Sequence, residues 1–216
     1  MSAPRFASVA LDVDSTLSGI EGIDWLAARR GPEVSAAVAG LTDQAMRGEV
    51  PLDAVFGTRL AMVRPTRHDV AALTAAYVAA VADGAADAVN ALVAAGVRVV
   101  VVSGGLRDAV APFAATLGIP DGDVYAVRVA FGADGAYTGF DDASPLATAA
   151  GKRVVVASLG LPAPALAVGD GATDLAIRSA VAAFAAFTGF VRRDAVAAAA
   201  DHVVPDFHHL EELVLP

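Results

Sequence analysis

Short apolar runs and helix-spaced apolar residues alternate along this chain. The run Phe6–Leu11 ends at Asp12, which predicts a buried strand followed by a loop. From Glu21 to Val81 the apolar residues recur at helical spacing and are interrupted by glycine and proline, which predicts an all-helical insertion. Helix and strand then alternate again. The pattern predicts an α/β fold: a doubly wound, mostly parallel, Rossmann-like sheet with a small helical insertion after its first strand.

The individual elements follow from the same periodicities and from the turn residues between them. Inside the insertion, the predicted helices are Ile23–Ala27, Val34–Met46, Leu52–Met62 and Val70–Val81. Beyond the insertion, the predicted elements are helices Ala85–Ala95, Gly151–Leu159 and Thr173–Ala180, strands Val97–Val102 and Leu166–Gly169, and an apolar segment Ala183–Phe187. A glycine turn at 132–135 predicts a β-hairpin formed by Tyr125–Phe131 and Ala136–Phe140.

Composition limits the classes of protein that fit. Alanine supplies 52 of the 216 residues, and no apolar run approaches the roughly 18 residues of a membrane span. Residues Met1–Ser8 lack the basic and apolar regions of a signal peptide, so we expect a cytoplasmic protein. Cysteine is absent, which excludes disulfides, thiolate metal sites and a cysteine nucleophile. Any metal must therefore be held by oxygen or imidazole.

The net charge is −9, and no cluster of basic residues interrupts the acidic composition. Such a surface repels nucleic acid and anionic membranes, so we expect neither as a partner. An anionic substrate would need a local cation to offset this field. Lys152 is conspicuous because it is the only lysine beside 14 arginines. Its compact ammonium suits a phosphoryl oxygen, although chance alone can also leave a single lysine.

Two aspartates follow the first predicted strand. In an open α/β sheet, ligands bind outside the carboxyl ends of the strands, so polar residues at these ends are candidate site residues. Asp12 and Asp14 are two positions apart and can direct both carboxylates to one point. A proton or a cation must separate two carboxylates at such a distance. The alternative is a polar loop that only caps the next helix.

Two further strand ends carry small or acidic residues. Ser103 and Gly104 follow the strand Val97–Val102, where small residues let a hydroxyl and backbone amides approach an anion. Asp170 follows the strand Leu166–Gly169, and Asp174 lies four residues later, at the start of a helix. Each signal is weak alone, since serine–glycine loops are common and Asp174 could simply stabilise the helix N-terminus.

These sites and Lys152, taken in order, resemble the four motifs of the haloacid dehalogenase (HAD) superfamily of phosphatases. The closer resemblance is to the phosphoserine phosphatase family, and it extends over most of the chain. It rests on the stretches DVDST, EGID, AMRGEVP, RLA, VVSGG, YTGFDD, GDGATD and FTGF. Two positions depart from the family pattern: Leu52 and Leu106 stand where an aromatic residue is common.

The resemblance implies a nucleophile, a general acid and base, and a metal site. Asp12 would attack phosphorus to form an aspartyl-phosphate. Asp14 would protonate the departing hydroxyl and then activate the hydrolytic water. A Mg²⁺ ion would be held by the Asp12 carboxylate, the Asp14 backbone carbonyl and Asp170. Mn²⁺ accepts the same oxygen ligands, so the choice between the two ions stays open.

The resemblance also assigns contacts to the phosphoryl group. Ser103, the Gly104 amide and Thr173 would bind its oxygens, although many members of the superfamily have asparagine where Thr173 stands. Lys152 would neutralise the charge, and Asp174 would orient this lysine or a metal-bound water.

The helical insertion resembles the cap that closes over the site in this family. We expect a cap of residues 18–81 on a core of residues 1–17 and 82–216. Glu21 would bind the ammonium of phosphoserine, and Arg59 would bind its carboxylate. Met46 and Leu52 would form apolar walls. Without the resemblance, Glu21 and Arg59 are more simply surface charges of helices.

The expected function is Mg²⁺-dependent hydrolysis of O-phospho-L-serine to L-serine and inorganic phosphate, in L-serine biosynthesis. The expected partner is a small phosphomonoester; the oligomeric state stays open, a homodimer included. One alternative is a related small-molecule phosphomonoesterase or a phosphotransferase. Another is a module that binds a phosphorylated metabolite without turnover, but the joint presence of Asp12, Asp14, Lys152 and Asp170 argues against it.

Overall fold

Six parallel strands form the central sheet of the computed structural model, which describes residues 3–46, 50 and 52–215. The sheet strands are β1 (Ser8–Leu11), β2 (Arg98–Leu106), β3 (Val124–Val127), β6 (Ala165–Gly169), β7 (Ala183–Phe187) and β8 (His202–Val204). Their order across the sheet is β3-β2-β1-β6-β7-β8, and each neighbouring pair is parallel. The predicted α/β fold with a parallel sheet is confirmed.

The helices cover both faces of this sheet. They are α1 (Gly22–Ala28), α2 (Pro32–Met46), α3 (Leu52–Val63), α4 (Arg67–Ala79), α5 (Ala85–Ala94), α6 (Arg107–Thr116), α7 (Gly151–Ser158), α8 (Ala172–Leu175), α9 (Asp194–Ala199) and α10 (Phe207–Val214). None of these described helices combines the length and apolar character needed to cross a bilayer.

Side chains of the central strand alternate between two apolar clusters. On β1, Val9 and Leu11 belong to the larger cluster, which includes residues of α4, α5, α6 and α10. Ala10 belongs to the smaller cluster on the other face, together with residues of α7 and α9. Because both faces are covered, the strand is buried at every position, as expected for a central parallel strand.

Helices α1 to α4 lie in the sequence between β1 and α5, as the pattern predicted. The two chain segments that connect them to the rest of the protein run side by side. The Gly19 N–H donates to the Ala80 carbonyl over 2.9 Å, and the Ala82 N–H donates to the Leu17 carbonyl over 2.9 Å. Helix α4 packs against α6, which itself contacts strand β2 of the sheet, and α4 also contacts α1.

The predicted hairpin strand Tyr125–Phe131 is wrong, because the structure divides it at Arg128. Residues 124–127 join the main sheet as β3, beside β2. Only β4 (Val129–Phe131) pairs with β5 (Tyr137–Phe140), antiparallel and outside the main sheet. The β3 residues are mostly buried whereas those of β4 are more exposed, which reflects the change of sheet at this point.

Other boundaries also differ from the prediction. Strand β2 extends through the serine and glycines to Leu106, and α6 begins directly after it. The predicted helix Thr173–Ala180 is a short α-helix, α8, followed by a 3-10 segment from Ala176. Helix α6, strand β8 and helix α10 were not predicted.

Candidate active site

The predicted site residues meet at the carboxyl ends of β1, β2 and β6. The strand order places β1 between β2 and β6. The chain therefore continues toward opposite edges of the sheet on the two sides of β1, which opens a crevice at the carboxyl ends of these strands. A cavity of about 270 Å³ lies at this point. The predicted site residues that line it are Asp12, Asp14, Glu21, Arg59, Ser103, Gly104, Lys152, Asp170, Thr173 and Asp174.

Lys152 joins two carboxylates in the floor of the cavity. Its Nζ lies 2.5 Å from Asp12 Oδ1 and 2.7 Å from Asp174 Oδ1, and all three side chains are buried. Burial opposes the charge on Lys152, but the two carboxylates outweigh it and raise the pKa of this lysine above its usual value. Lys152 is therefore an ammonium ion at physiological pH.

A close backbone approach brings Lys152 to this position. Gly151 begins α7, and a Cβ on this residue would lie 1.8 Å from the Pro145 carbonyl oxygen. Glycine thus allows the start of α7 to press against the loop before it. Gly169 has a similar role, since its Cβ would lie 2.3 Å from the Asp174 carboxyl carbon.

Three carboxylates form an oxygen-rich cluster. Each of Asp12, Asp170 and Asp174 has an oxygen within 4.8 Å of the other two. Burial and then the charge of Asp174 raise the pKa of Asp12 well above its usual value, despite Lys152. The same two causes raise the pKa of Asp170 to about 6. Lys152 and the partly exposed Arg193, which pairs with Asp170, supply two positive charges for three buried carboxylates. One negative charge stays unbalanced, so the cluster fits a hard divalent cation with oxygen ligands.

Asp14 has a separate environment next to the cluster. The Tyr77 hydroxyl donates to Asp14 Oδ1 over 2.6 Å, and the Gly22 N–H donates to Oδ2 over 3.1 Å. Burial, followed by the negative charge of Glu21, raises the pKa of Asp14 to about 7. A carboxyl with this pKa can both give and accept a proton near neutral pH.

Ser103 and Gly104 lie at the carboxyl end of β2, beside the acidic residues. Ser103 is buried, and its Oγ accepts a hydrogen bond from the Gly105 N–H over 2.9 Å. The hydroxyl proton of Ser103 remains free to be donated. Thr173 is half-buried on the same cavity wall.

Glu21 and Arg59, the residues predicted to bind the head group of the substrate, both line the cavity and have opposite charges. Ser15, in the left-handed conformation at φ 53°, donates its hydroxyl to Glu21 Oε1 over 2.8 Å. Arg59 Nη2 donates to Asp24 Oδ1 over 2.8 Å. Its Nε is buried and has no acceptor among the described residues. An unpaired buried donor is costly.

Arg193 belongs to the site although the sequence analysis missed it. Its Nε donates to Asp170 Oδ2 over 2.9 Å, and its Nη2 lies 3.6 Å from Glu21 Oε1. The residue follows β7, the neighbour of β6 in the sheet. Extending the search for polar residues to the end of this strand would have found it.

The side chains of Met46 and Leu52, predicted as apolar walls, lie outside the part of the chain that the structure describes. Apolar residues that do line the cavity are Ile23, Val55, Phe56 and Leu146. Phe56 on α3 packs edge-on against Phe140 of β5, with ring centres 5.3 Å apart. The small antiparallel pair β4 and β5 therefore supports one wall of the cavity.

Known proteins are similar to this chain in sequence. Residues 9–179 match the family model of haloacid dehalogenase-like hydrolases. The chain is 38% identical to phosphoserine phosphatase of Bos taurus over 206 residues, which cover 94% of this chain and 91% of the relative. It is 37% identical to the phosphoserine phosphatase of Homo sapiens with the same coverage. The chain belongs to the haloacid dehalogenase-like hydrolase family and, within it, to the phosphoserine phosphatases.

Solved structures share the fold. A phosphoserine phosphohydrolase-like protein from Francisella tularensis superposes with a TM-score of 0.83 at 23% identity, covering 96% of this chain and 99% of that one. A substrate-bound phosphoserine phosphatase superposes with a TM-score of 0.79 at 23% identity, covering 99% of each chain. At these identities the likeness concerns the fold.

Proposed function

We propose that this chain hydrolyses O-phospho-L-serine to L-serine and inorganic phosphate. The observation that carries the proposal is one cavity containing a buried Asp12–Lys152 pair, an acid with a pKa near 7 at Asp14, and both Glu21 and Arg59. The first two features suit phosphoryl transfer, and the last two suit an amino acid head group. The names of the relatives support the same substrate.

The first chemical step transfers the phosphoryl group to Asp12. A carboxylate oxygen of Asp12 forms a bond to phosphorus as the bond from phosphorus to the serine oxygen breaks. Asp14 gives its proton to that oxygen, so serine leaves as an alcohol. Lys152 offsets negative charge on the phosphoryl oxygens, which Ser103, the Gly104 amide and Thr173 bind.

The second step removes the phosphoryl group. Asp14, now ionised, takes a proton from water as the water oxygen attacks phosphorus. The bond between phosphorus and the Asp12 oxygen breaks, which releases phosphate and restores the carboxylate. Asp174 holds Lys152 in place through its 2.7 Å contact during both steps.

Metal and cap complete the proposal. Asp12, Asp170 and the Asp14 backbone carbonyl would hold Mg²⁺, which offsets anionic repulsion when bound. We assign the cap to residues 18–81 and the core to residues 1–17 and 82–216. The hydrogen bonds that join residues 17–19 to residues 80–82 support these boundaries. The assignment to L-serine biosynthesis and to the cytoplasm stays a prediction, and cell fractionation tests the location.

Substrate recognition relies on the two opposite charges. Glu21 binds the ammonium group, and Arg59, which lines the same cavity, binds the carboxylate through its guanidinium group. Asp24 holds the Arg59 side chain through its hydrogen bond from Nη2. A ligand with only one of these head-group charges leaves one partner unsatisfied, which favours an amino acid substrate.

Phosphate release from O-phospho-L-serine tests the proposal, measured with and without excess EDTA. Parallel assays use p-nitrophenyl phosphate and phosphoethanolamine. We expect metal-dependent turnover with the highest kcat/KM for phosphoserine. A preference for an ester without the amino acid head group would leave the chemistry intact but refute the substrate. Absence of turnover on every ester would instead favour a binding module.

A further inference from the structure

Tyr77 on α4 places a phenol beside the general acid of the proposed reaction. The residue is fully buried, and its hydroxyl donates to Asp14 Oδ1 over 2.6 Å. Gly22 makes room for the oxygen, because a Cβ on this residue would lie 2.1 Å from it. A side chain at Gly22 would therefore displace this hydroxyl.

Contacts with α6 and with Ser18 hold the Tyr77 ring and backbone. The ring stacks on Phe113 of α6, with centres 5.5 Å apart and planes inclined by 26°. The Ser18 hydroxyl donates to the Tyr77 carbonyl over 3.1 Å. Helix α4 packs along α6, so the ring is fixed relative to the sheet that carries Asp14. The phenol is therefore a rigid partner for the carboxyl.

We propose that Tyr77 is a positioning residue that orients the Asp14 carboxyl for proton transfer. Tyr77 fixes one carboxyl oxygen and the Gly22 N–H fixes the other, so the group cannot rotate freely. Each oxygen keeps a second lone pair for the transferred proton. Tyr77 keeps its own proton throughout. The inference rests on the proposed function only through the acid and base roles of Asp14.

Tyr77 differs from the predicted site residues because it lies behind the cavity wall, in the packed core. Tyr77 does not line the cavity, so it does not bind substrate. A phenol that only filled the core would be replaceable by phenylalanine, because the two rings have the same shape. A phenol that orients Asp14 would not be, because phenylalanine leaves one carboxyl oxygen without its fixed donor.

Tyr77→Phe removes only the hydroxyl, and Tyr137→Phe is the matched control. Tyr137 is likewise buried, but its ring lies against Arg64 rather than at the site. We expect Tyr77→Phe to lower kcat on phosphoserine roughly tenfold, a part of the about 10²- to 10⁴-fold that general acid–base catalysis supplies. KM should stay within about twofold, because no substrate contact is lost. Tyr137→Phe should leave both constants unchanged.

The leaving group separates positioning from a general structural defect. Nitrophenolate leaves without protonation, so its departure does not need the proton of Asp14. For Tyr77→Phe, the rate of the phosphorylation burst from p-nitrophenyl phosphate, measured by rapid quench, should therefore stay within about twofold of the rate of the unmodified protein. The dephosphorylation step, which also uses Asp14, should become slower together with turnover on phosphoserine. An equal loss in the nitrophenolate burst would overturn the inference, and so would unchanged turnover on phosphoserine.

Two readouts keep this test separate from the substrate assignment. If the unmodified protein prefers another alkyl phosphate, the substrate proposal fails and the same comparison on that ester still tests Tyr77. A crystal structure of Tyr77→Phe gives a second readout independent of turnover. We expect the Asp14 carboxyl to leave its original orientation there; an unmoved carboxyl would refute the positioning role.

Discussion

At the scale of single residues, Asp12 is the most constrained group in the site. It shares one lysine with Asp174 and lies among three buried carboxylates. Its charge is therefore unfavourable unless a second cation is present. The same crowding makes Asp12, the proposed nucleophile, costly to keep ionised.

We expect Asp12→Asn to lower kcat by roughly 10³-fold or more, because a carboxamide cannot replace the carboxylate as nucleophile. Its thermal stability in EDTA should equal or exceed that of the unmodified protein, since one crowded negative charge is gone. Phosphate release and calorimetry measure the two effects. The exposed Asp87 gives the control Asp87→Asn. Turnover near the normal rate would show that another residue is the nucleophile.

Glu21 tests the head-group assignment at the same scale. Glu21→Gln keeps the shape but removes the charge, so KM for phosphoserine should rise by about 10- to 100-fold, as for a lost charged hydrogen bond. KM for p-nitrophenyl phosphate should change by less than about threefold, because that ester has no ammonium group. Steady-state kinetics on both esters decide, with the exposed Glu33→Gln as control. Similar losses on the two esters would remove Glu21 from substrate recognition.

At the scale of elements, the start of α7 depends on one glycine. Gly151→Ala would bring a Cβ within 1.8 Å of the Pro145 carbonyl oxygen, so helix or loop must move and Lys152 with it. We expect a loss of about 2 kcal/mol in the free energy of unfolding, together with reduced kcat. Gly40→Ala in α2 is the control, because a Cβ there meets nothing within 4 Å. That variant should gain about 0.5–1 kcal/mol. Urea unfolding measures both, and a neutral Gly151→Ala would contradict the close approach.

Elements with a clear period were predicted well, whereas pairing between strands was not. The buried run before Asp12 and the helices of the insertion appear close to their predicted positions. The segment Tyr125–Phe131 was predicted as one strand of a hairpin, although Arg128 interrupts its apolar residues. The structure divides it between two sheets, since β3 finds a neighbour in β2 while β4 pairs with β5. Local pattern carries no information about which strand becomes the neighbour.

At the scale of the whole molecule, the site couples metal binding to pH. Carboxyls whose pKa is raised in the folded state bind more protons there than in the unfolded chain. Without metal, the contribution of these two carboxyls to the free energy of unfolding is therefore fully present below the ordinary carboxyl pKa. It is lost as pH rises through the pKa values of the folded state, about 6 for Asp170 and about 7 for Asp14. A bound divalent cation replaces those protons and restores stability at higher pH.

We therefore expect Mg²⁺ to raise the melting temperature more at about pH 8 than at about pH 5.5. Calorimetry with Mg²⁺ and with EDTA at the two pH values measures the difference. Asp170→Asn should reduce the Mg²⁺ effect at the higher pH, whereas Asp87→Asn should retain it. An equal Mg²⁺ effect at both pH values would contradict displacement of protons from this cluster.

The sequence by itself determined the main candidate residues for the chemistry of this protein. Asp12, Ser103 and Asp170 follow apolar runs, and parallel strands must bring their carboxyl ends to one edge of the sheet. Tertiary structure alone decided the partners of these groups. Tyr77, Asp24 and Arg193 reach the site from α4, α1 and the segment after β7, and their local sequence does not show which groups they contact. Their roles depend on packing between distant segments, where a shift of a few ångströms would break each hydrogen bond.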